Sequence, residues 1–182
     1  HSMPVSISAN LKKKIISEIV KARKVLKIRS GVLKGDIIVD KYNKVYIIEL
    51  ASRTSGGRFA DFVTPLNCGV NILDPIIQIS LGLPPDKKFF KKNKNIGVSQ
   101  RFIFLEENLI LKKIPNLKNF PSSLNLEEFV FTQDFLTNLT QRKITCHRDR
   151  IGYVICSGKT REEADKNAIQ SVKIIKERIL CQ

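Results

Sequence analysis

Gly31-Val-Leu-Lys-Gly-Asp36-Ile-Ile-Val-Asp40-Lys-Tyr-Asn-Lys44-Val-Tyr-Ile-Ile-Glu49-Leu-Ala-Ser-Arg53-Thr-Ser-Gly-Gly57 is the stretch that decides the fold. Asp36–Asp40 and Lys44–Leu50 are β-branched and aromatic runs on either side of the turn signal Lys41-Tyr42-Asn43, which predicts a hairpin. Asp36 and Glu49 are acids inside otherwise apolar strands, and their relation depends on the turn. A loop of two or four residues puts both carboxylates on one sheet face, as cross-strand or diagonal neighbours within about 5–8 Å. A three-residue loop puts them on opposite faces unless a bulge restores the register. Ile37, Val39, Tyr46 and Ile48 are expected on the other, core-facing side.

Two carboxylates close together repel each other, and a cation between them relieves the repulsion; a hard oxygen site of this kind suits Mg²⁺. Arg53 extends the charged group. The plainer account makes Asp36 an edge residue and pairs Glu49 with a surface lysine. On spacing alone that account is the stronger.

Outward from the hairpin, Leu11, Ile15, Ile19, Ala22 and Leu26 recur at helical spacing, predicting an amphipathic helix from Leu11 to Ile28 that Gly31 breaks. After the small polar loop Ser52–Gly57, Asp74-Pro75 is expected to start a short helix, Ile76–Leu81, ended by Gly82. Pro84-Pro85 and the Lys/Asn run to Gly97 mark the main shift in composition. Residues 1–3 read as an appended remnant, 4–83 as a first lobe, 84–100 as a basic linker and 101–182 as a smaller β/α lobe. In that second lobe Arg101–Leu105 and Leu109–Leu111 are expected strands around a Glu106–Asn108 turn, and Phe129–Phe131 an edge strand. Ile151–Cys156 reads as a buried strand. Thr160 and Glu163 form a capping box for a last helix whose core face is Ala164, Ala168, Val172, Ile175 and Ile179. The expected fold class is α+β, a largely antiparallel sheet covered by helices.

The 182 residues carry 32 Lys+Arg against 17 Asp+Glu, a net charge of +15, with 42% apolar residues. That is enough for a buried core, which excludes disorder as the main state. No apolar run nears the roughly 20 residues of a membrane-spanning helix. The basic surface invites nucleic acid, phosphorylated ligands or anionic membranes. The lysines are scattered through every region, however, and a coding bias towards Lys and Ile is the plainer source. Cys68, Cys146, Cys156 and Cys181 match no zinc spacing and are too few for a disulfide scaffold, so a reduced, cytoplasmic protein is expected. The sequon Asn138-Leu139-Thr140 reads as chance.

The hairpin segment resembles the ATP-grasp ligase superfamily, whose signature is an acidic residue, a hairpin and then Glu-x-Asn-x-Arg. Pro65-Leu-Asn-Cys-Gly69 fits the usual continuation, and Arg150-Ile-Gly-Tyr-Val-Ile-Cys-Ser-Gly-Lys-Thr-Arg-Glu-Glu-Ala164 resembles the ending of amino-acid-ligase-like members. The resemblance implies the C-terminal subdomain of that fold and a ligase joining a carboxylate to an amine through an acyl phosphate. It implies ATP and Mg²⁺ (or Mn²⁺) as cofactors. Asp36 and Glu49 would hold the metal, Ile38 would line the adenine side and Arg53 would stabilise the acyl phosphate. Ser55, Gly56, Gly57 and Arg58 would approach a phosphate or a substrate carboxylate. Where the family has Asn, this sequence has Ala51, which leaves a second metal unsupported. The first lobe of such an enzyme, with its phosphate-contacting lysines, does not precede Leu11, so the expected partner is that missing lobe and the chain alone is expected not to turn over.

A nucleic-acid-binding module is the rival from another class. It lacks an aromatic stacking cluster on a basic strand and a recognition helix, and nucleic acid is disfavoured as a partner, as is a membrane. A degenerate half with a structural or regulatory role is the third reading, and Ala51 leans towards it.

Overall fold

A computed structural model of the chain describes residues 1–106, 119–140 and 143–180. The chain divides into two compact units, Val5–Lys94 and His1–Pro4 with Asn95–Gln182. The stretch 84–100, read from composition as a linker, is itself divided. Its first part belongs to the first unit, because the N–H groups of Asn93 and Lys94 both donate to the Cys68 carbonyl at 3.1 and 3.3 Å. Its last residues, from Gly97, are already strand.

The first unit begins with helix α1, Ala9–Val25, where the Ser8 hydroxyl accepts from the Leu11 N–H at 3.2 Å. Leu11 is buried and Ile15, Ile19 and Ala22 are half-buried, as the spacing requires, while α1 packs on strand β3 (Val45–Ala51). Leu26, expected on that face, is exposed, and the helix stops short of Ile28. The cause is Lys27, which turns left-handed at φ 55°. The N–H of Ile28 then returns to the Arg23 carbonyl and that of Lys27 to Lys24, a Schellman closure that ends the helix before Gly31 is reached.

Strands β2 (Lys34–Val39) and β3 form a two-stranded antiparallel ribbon. A π-helical turn, Phe59–Val63, runs into helix α2 (Thr64–Cys68). Helix α3 spans Leu73–Ser80 and starts earlier than expected. Its first N–H groups, on Leu73 and Asp74, are taken by the Asn71 side chain, so Asn71 rather than Asp74 supplies the cap. Gly82, at φ 74°, ends it as expected.

The second unit is a four-stranded antiparallel sheet in the order β1-β4-β6-β5, with helix α5 (Arg161–Leu180) across it. Its strands are β1 (Ser2–Met3), β4 (Gly97–Ile103), β5 (Leu126–Phe131) and β6 (Gly152–Gly158). Residues 1–3, read as an appended remnant, therefore supply an edge strand to β4. The core joins Ile103, Phe131, Phe135, Ile151, Val154 and Ile175, with Ala164, Ala168 and Ile179 buried on α5 as their spacing predicts. The Thr160 hydroxyl accepts from the Glu163 N–H at 3.2 Å, and the Glu163 carboxylate reaches back one residue further than a capping box, to the Lys159 N–H at 2.7 Å. Helix α4 (Gln133–Asn138) packs Phe135 against Phe131, ring centroids 5.1 Å apart. The expected strand Leu109–Leu111 and most of the turn before it lie outside the described residues. No helix among the described residues is long and apolar enough to cross a membrane.

One ionic knot ties β1, β4 and α5 together. Asp165 on α5 accepts from the hydroxyls of Ser2 (2.6 Å) and Ser99 (2.7 Å) and from the Arg101 guanidinium (2.8 Å). Burial alone would raise this carboxyl, but the two hydroxyls and Arg101 outweigh it and hold it at about 2. A carboxyl depressed in the folded state contributes stability that is complete above its ordinary range and fades as pH falls towards the folded value. The second unit is therefore expected to lose stability between about pH 4 and pH 2, a window shared with Asp149, held at about 2 by the backbone N–H groups of Thr145 and Cys146. Thermal melting of Asp165→Asn should show a shallower pH slope there than the unsubstituted chain. An unchanged slope would remove Asp165 from the account.

Candidate functional site

The ribbon is closed by a three-residue loop, since the Asp40 N–H donates to the Lys44 carbonyl at 3.1 Å across Lys41, Tyr42 and Asn43. Asn43 takes the left-handed conformation, at φ 59°, that such loops require. The Asp40 carboxylate ties the turn by accepting from the N–H groups of Tyr42 and Lys44, each at 2.9 Å. The Lys44 contact foremost holds this carboxyl below its usual range.

With three loop residues, strict alternation would separate Asp36 from Glu49. A bulge prevents this. Val39 faces Val45, Ile38 faces Tyr46 and Ile37 faces Ile47, and then the register shifts so that Asp36 lies directly opposite Glu49. Ile48 is the extra residue. The same geometry corrects the expected core side. Ile37 and Val39 do turn inwards, but their partners are Val45 and Ile47. Tyr46 and Ile48 are exposed with Ile38, on the face that carries the carboxylates.

Lys34, two residues before Asp36 and therefore on the same face, places its ammonium between the acids, 2.5 Å from Asp36 Oδ2 and 3.4 Å from Glu49 Oε1. Its pKa is raised, foremost by the hydrogen bond to Asp36. Sequence reasoning passed over this lysine, although the period of two that pairs the acids would have found it. The plainer account expected a lysine beside Glu49; here one lysine serves both acids. Arg53 follows the strand, its Nη2 3.8 Å from Glu49 Oε1 and its Nη1 donating to the Thr54 carbonyl at 2.9 Å.

Beyond Arg53, Ser55 is half-buried while Gly56 and Gly57 are exposed. Arg58, left-handed at φ 69°, directs its guanidinium to Asp61 and lies 5.1 Å from the Phe62 ring centroid. A cavity of about 210 Å³ opens behind the loop, lined by Lys34, Thr54, Ser55, Phe59, Thr64 and Ile72 among others. Asp36, Glu49, Ile38 and Arg53 thus gather on or beside one exposed sheet face, and Ser55 joins Lys34 in the lining of the cavity.

The donor set suits a shared metal ion. Two carboxylates stand side by side and already attract a common cation, yet among the described residues no group of three or more His, Cys, Asp or Glu assembles. Ala51, opposite Lys34, adds no ligand atom. Mg²⁺ commonly takes one or two protein carboxylates and completes its shell with phosphate oxygens and water, which is what this pair can support.

No family model matches the sequence, and no curated protein matches it significantly. Solved structures do. Phosphoribosylglycinamide synthetase from Anaerococcus prevotii superposes with a TM-score of 0.75 at 23% identity, over 98% of this chain and 43% of that one. L-amino acid ligase from Bacillus licheniformis gives 0.76 at 16% identity, over 94% and 43%. N5-carboxyaminoimidazole synthase from Aspergillus clavatus, in complex with ADP and 5-aminoimidazole ribonucleotide, gives 0.55 at 17% identity, over 98% and 43%. Over nearly its whole length the chain shares its fold with part of each of these synthetases and ligases. The chain spans less than half the length of these structures.

Proposed function

We propose that this chain is the metal-holding part of an ATP-dependent ligase that activates a carboxylate as an acyl phosphate for attack by an amine. The observation that carries the reading is the bulge that sets Asp36 directly opposite Glu49 on an exposed face. A bulge that re-aims one acid towards another, against their mutual repulsion, supports a cation site there, where Lys34 already supplies one positive charge. The fold shared with synthetases and ligases, one of them solved with ADP, supports the same reading.

Mg²⁺ bound with ATP would neutralise phosphate charge and polarise the phosphoryl group during transfer. Asp36 and Glu49 would hold it from the protein side. Ile38, with Tyr46 and Ile48 on the same exposed face, offers an apolar surface beside the carboxylates for the nucleotide base. Arg53, anchored through Thr54, stands at the outer edge of Glu49, where its guanidinium can stabilise negative charge on the transferring phosphoryl group. The exposed Gly56 and Gly57 let phosphate or carboxylate oxygens approach the backbone closely, with Ser55 and Arg58 flanking them. The chain matches 43% of the length of the synthetase and the amino acid ligase, so in this reading the carboxylate and amine sites and the other jaw of the nucleotide cleft fall to parts that it does not match, and the chain by itself would not turn over.

Arg53→Ala tests the assignment in the intact enzyme. Because the guanidinium is exposed and meets Glu49 only at 3.8 Å, the fold does not depend on it. The expected result is a fall in kcat of about 10²–10³-fold with a much smaller change in the KM for ATP. A loss confined to ATP affinity would reassign Arg53 to nucleotide binding.

A further inference from the structure

The side chain of Lys34 is only 17% exposed, whereas those of Asp36 and Glu49 are 54% and 51% exposed. The ammonium reaches Asp36 Oδ2 at 2.5 Å and Glu49 Oε1 at 3.4 Å, while the side chains of both acids stay more than half exposed. Register explains why it reaches both. Lys34 lies two residues from Asp36 along one strand, and its cross-strand partner is Ala51, next but one to Glu49, so the Lys34/Ala51 pair neighbours the two acids on one face. Arg53 touches Glu49 alone, so among the described residues Lys34 is the cation common to both carboxylates.

Side-by-side carboxylates repel, and one shared ammonium cancels about half of their charge. A divalent ion approaching from solvent meets a pair already partly neutralised, and binding it displaces a hydrogen-bonded lysine. We propose that Lys34 is a positioning residue, a built-in counter-cation that keeps Asp36 and Glu49 together and holds their affinity for a free divalent metal low. Phosphate oxygens arriving with the metal give the displaced ammonium a new anionic partner, so metal is taken up with nucleotide in preference to metal alone. This rests on reading Asp36 and Glu49 as the metal-holding pair.

The test is a titration of the full chain with Mn²⁺ alone, with free Mn²⁺ followed by electron paramagnetic resonance and folding checked by circular dichroism. Lys34→Met is expected to tighten Mn²⁺ binding about tenfold, as losing one unit of competing charge at contact distance should. Lys34→Arg, which keeps a cation in place, should stay near the unsubstituted value. Adding Glu49→Gln to Lys34→Met should cancel the gain. Equal affinity for Lys34→Met and the unsubstituted chain would overturn the counter-cation role while leaving the metal reading intact, provided Glu49→Gln still weakens binding of Mn²⁺ with ADP. A gain that survives Glu49→Gln would also overturn it. If Mn²⁺ with ADP binds equally well after Asp36→Asn or Glu49→Gln, the metal site itself is lost, and the proposal with it.

Discussion

Glu49→Gln in the intact enzyme should abolish ATP-dependent ligation, with turnover falling at least about 10³-fold, while the protein melts at nearly its usual temperature. Both halves of that expectation follow from the ribbon. Glu49 is exposed, and its folded-state partners are Lys34 at 3.4 Å and Arg53 at 3.8 Å. Exposed ion pairs of this length are worth about 0–1 kcal/mol, so a neutral isostere costs the fold little. The chemistry has no such tolerance. In the proposed site, removing one of the two carboxylates removes half of the protein's hold on the metal and leaves Lys34 opposite a single charge. Near-normal turnover in this variant would show that the ribbon face is not the site. A large fall in melting temperature would show that the pair is structural.

The largest expected effect on stability lies at Gly97→Ala, in the other unit. A Cβ at Gly97 would stand 1.9 Å from the Thr160 carbonyl oxygen and 2.7 Å from the Arg161 nitrogen, at the start of α5. Both are backbone atoms held in place, since the Thr160 carbonyl is the acceptor for the Ala164 N–H in the first turn of α5. No rotamer change relieves the clash, so β4 or the start of α5 must shift, at a cost of about 3 kcal/mol or more. Thermal or urea unfolding would measure it. A change below about 0.5 kcal/mol would mean that the strand-to-helix junction is looser than this packing implies.

The long, strongly patterned elements were legible from residues alone. The buried strand through Cys156, which runs on to Gly158, and the last helix came through because apolar spacing and the Thr160/Glu163 cap agree. The hairpin was legible as well, down to the requirement that a three-residue loop needs a bulge. Where the bulge falls was not. It depends on which residue the ribbon can leave unpaired: the three-residue loop sets Tyr46 opposite Ile38 on the exposed face, and the bulge leaves Ile48 unpaired beside it. The end of α1 escaped because a lysine, not a glycine, takes the left-handed closing position. The early part of the basic stretch after Pro85 escaped because hydrogen bonds to Cys68, remote in sequence, hold it in the first unit. At the site, the acids and Arg53 stood out because charge inside apolar strands is conspicuous. Lys34 did not stand out in a chain so rich in lysine.

The measurement that tests the central claim most directly is paramagnetic line broadening in amide nuclear magnetic resonance spectra of this chain, on adding Mn²⁺ with ADP at substoichiometric levels. The account predicts that amides flanking Asp36 and Glu49 broaden first, with those of Lys34 and Arg53 close behind. Broadening centred elsewhere, such as around Asp149 or Glu127, would contradict it, as would broadening at Asp36 that persists unchanged in Glu49→Gln.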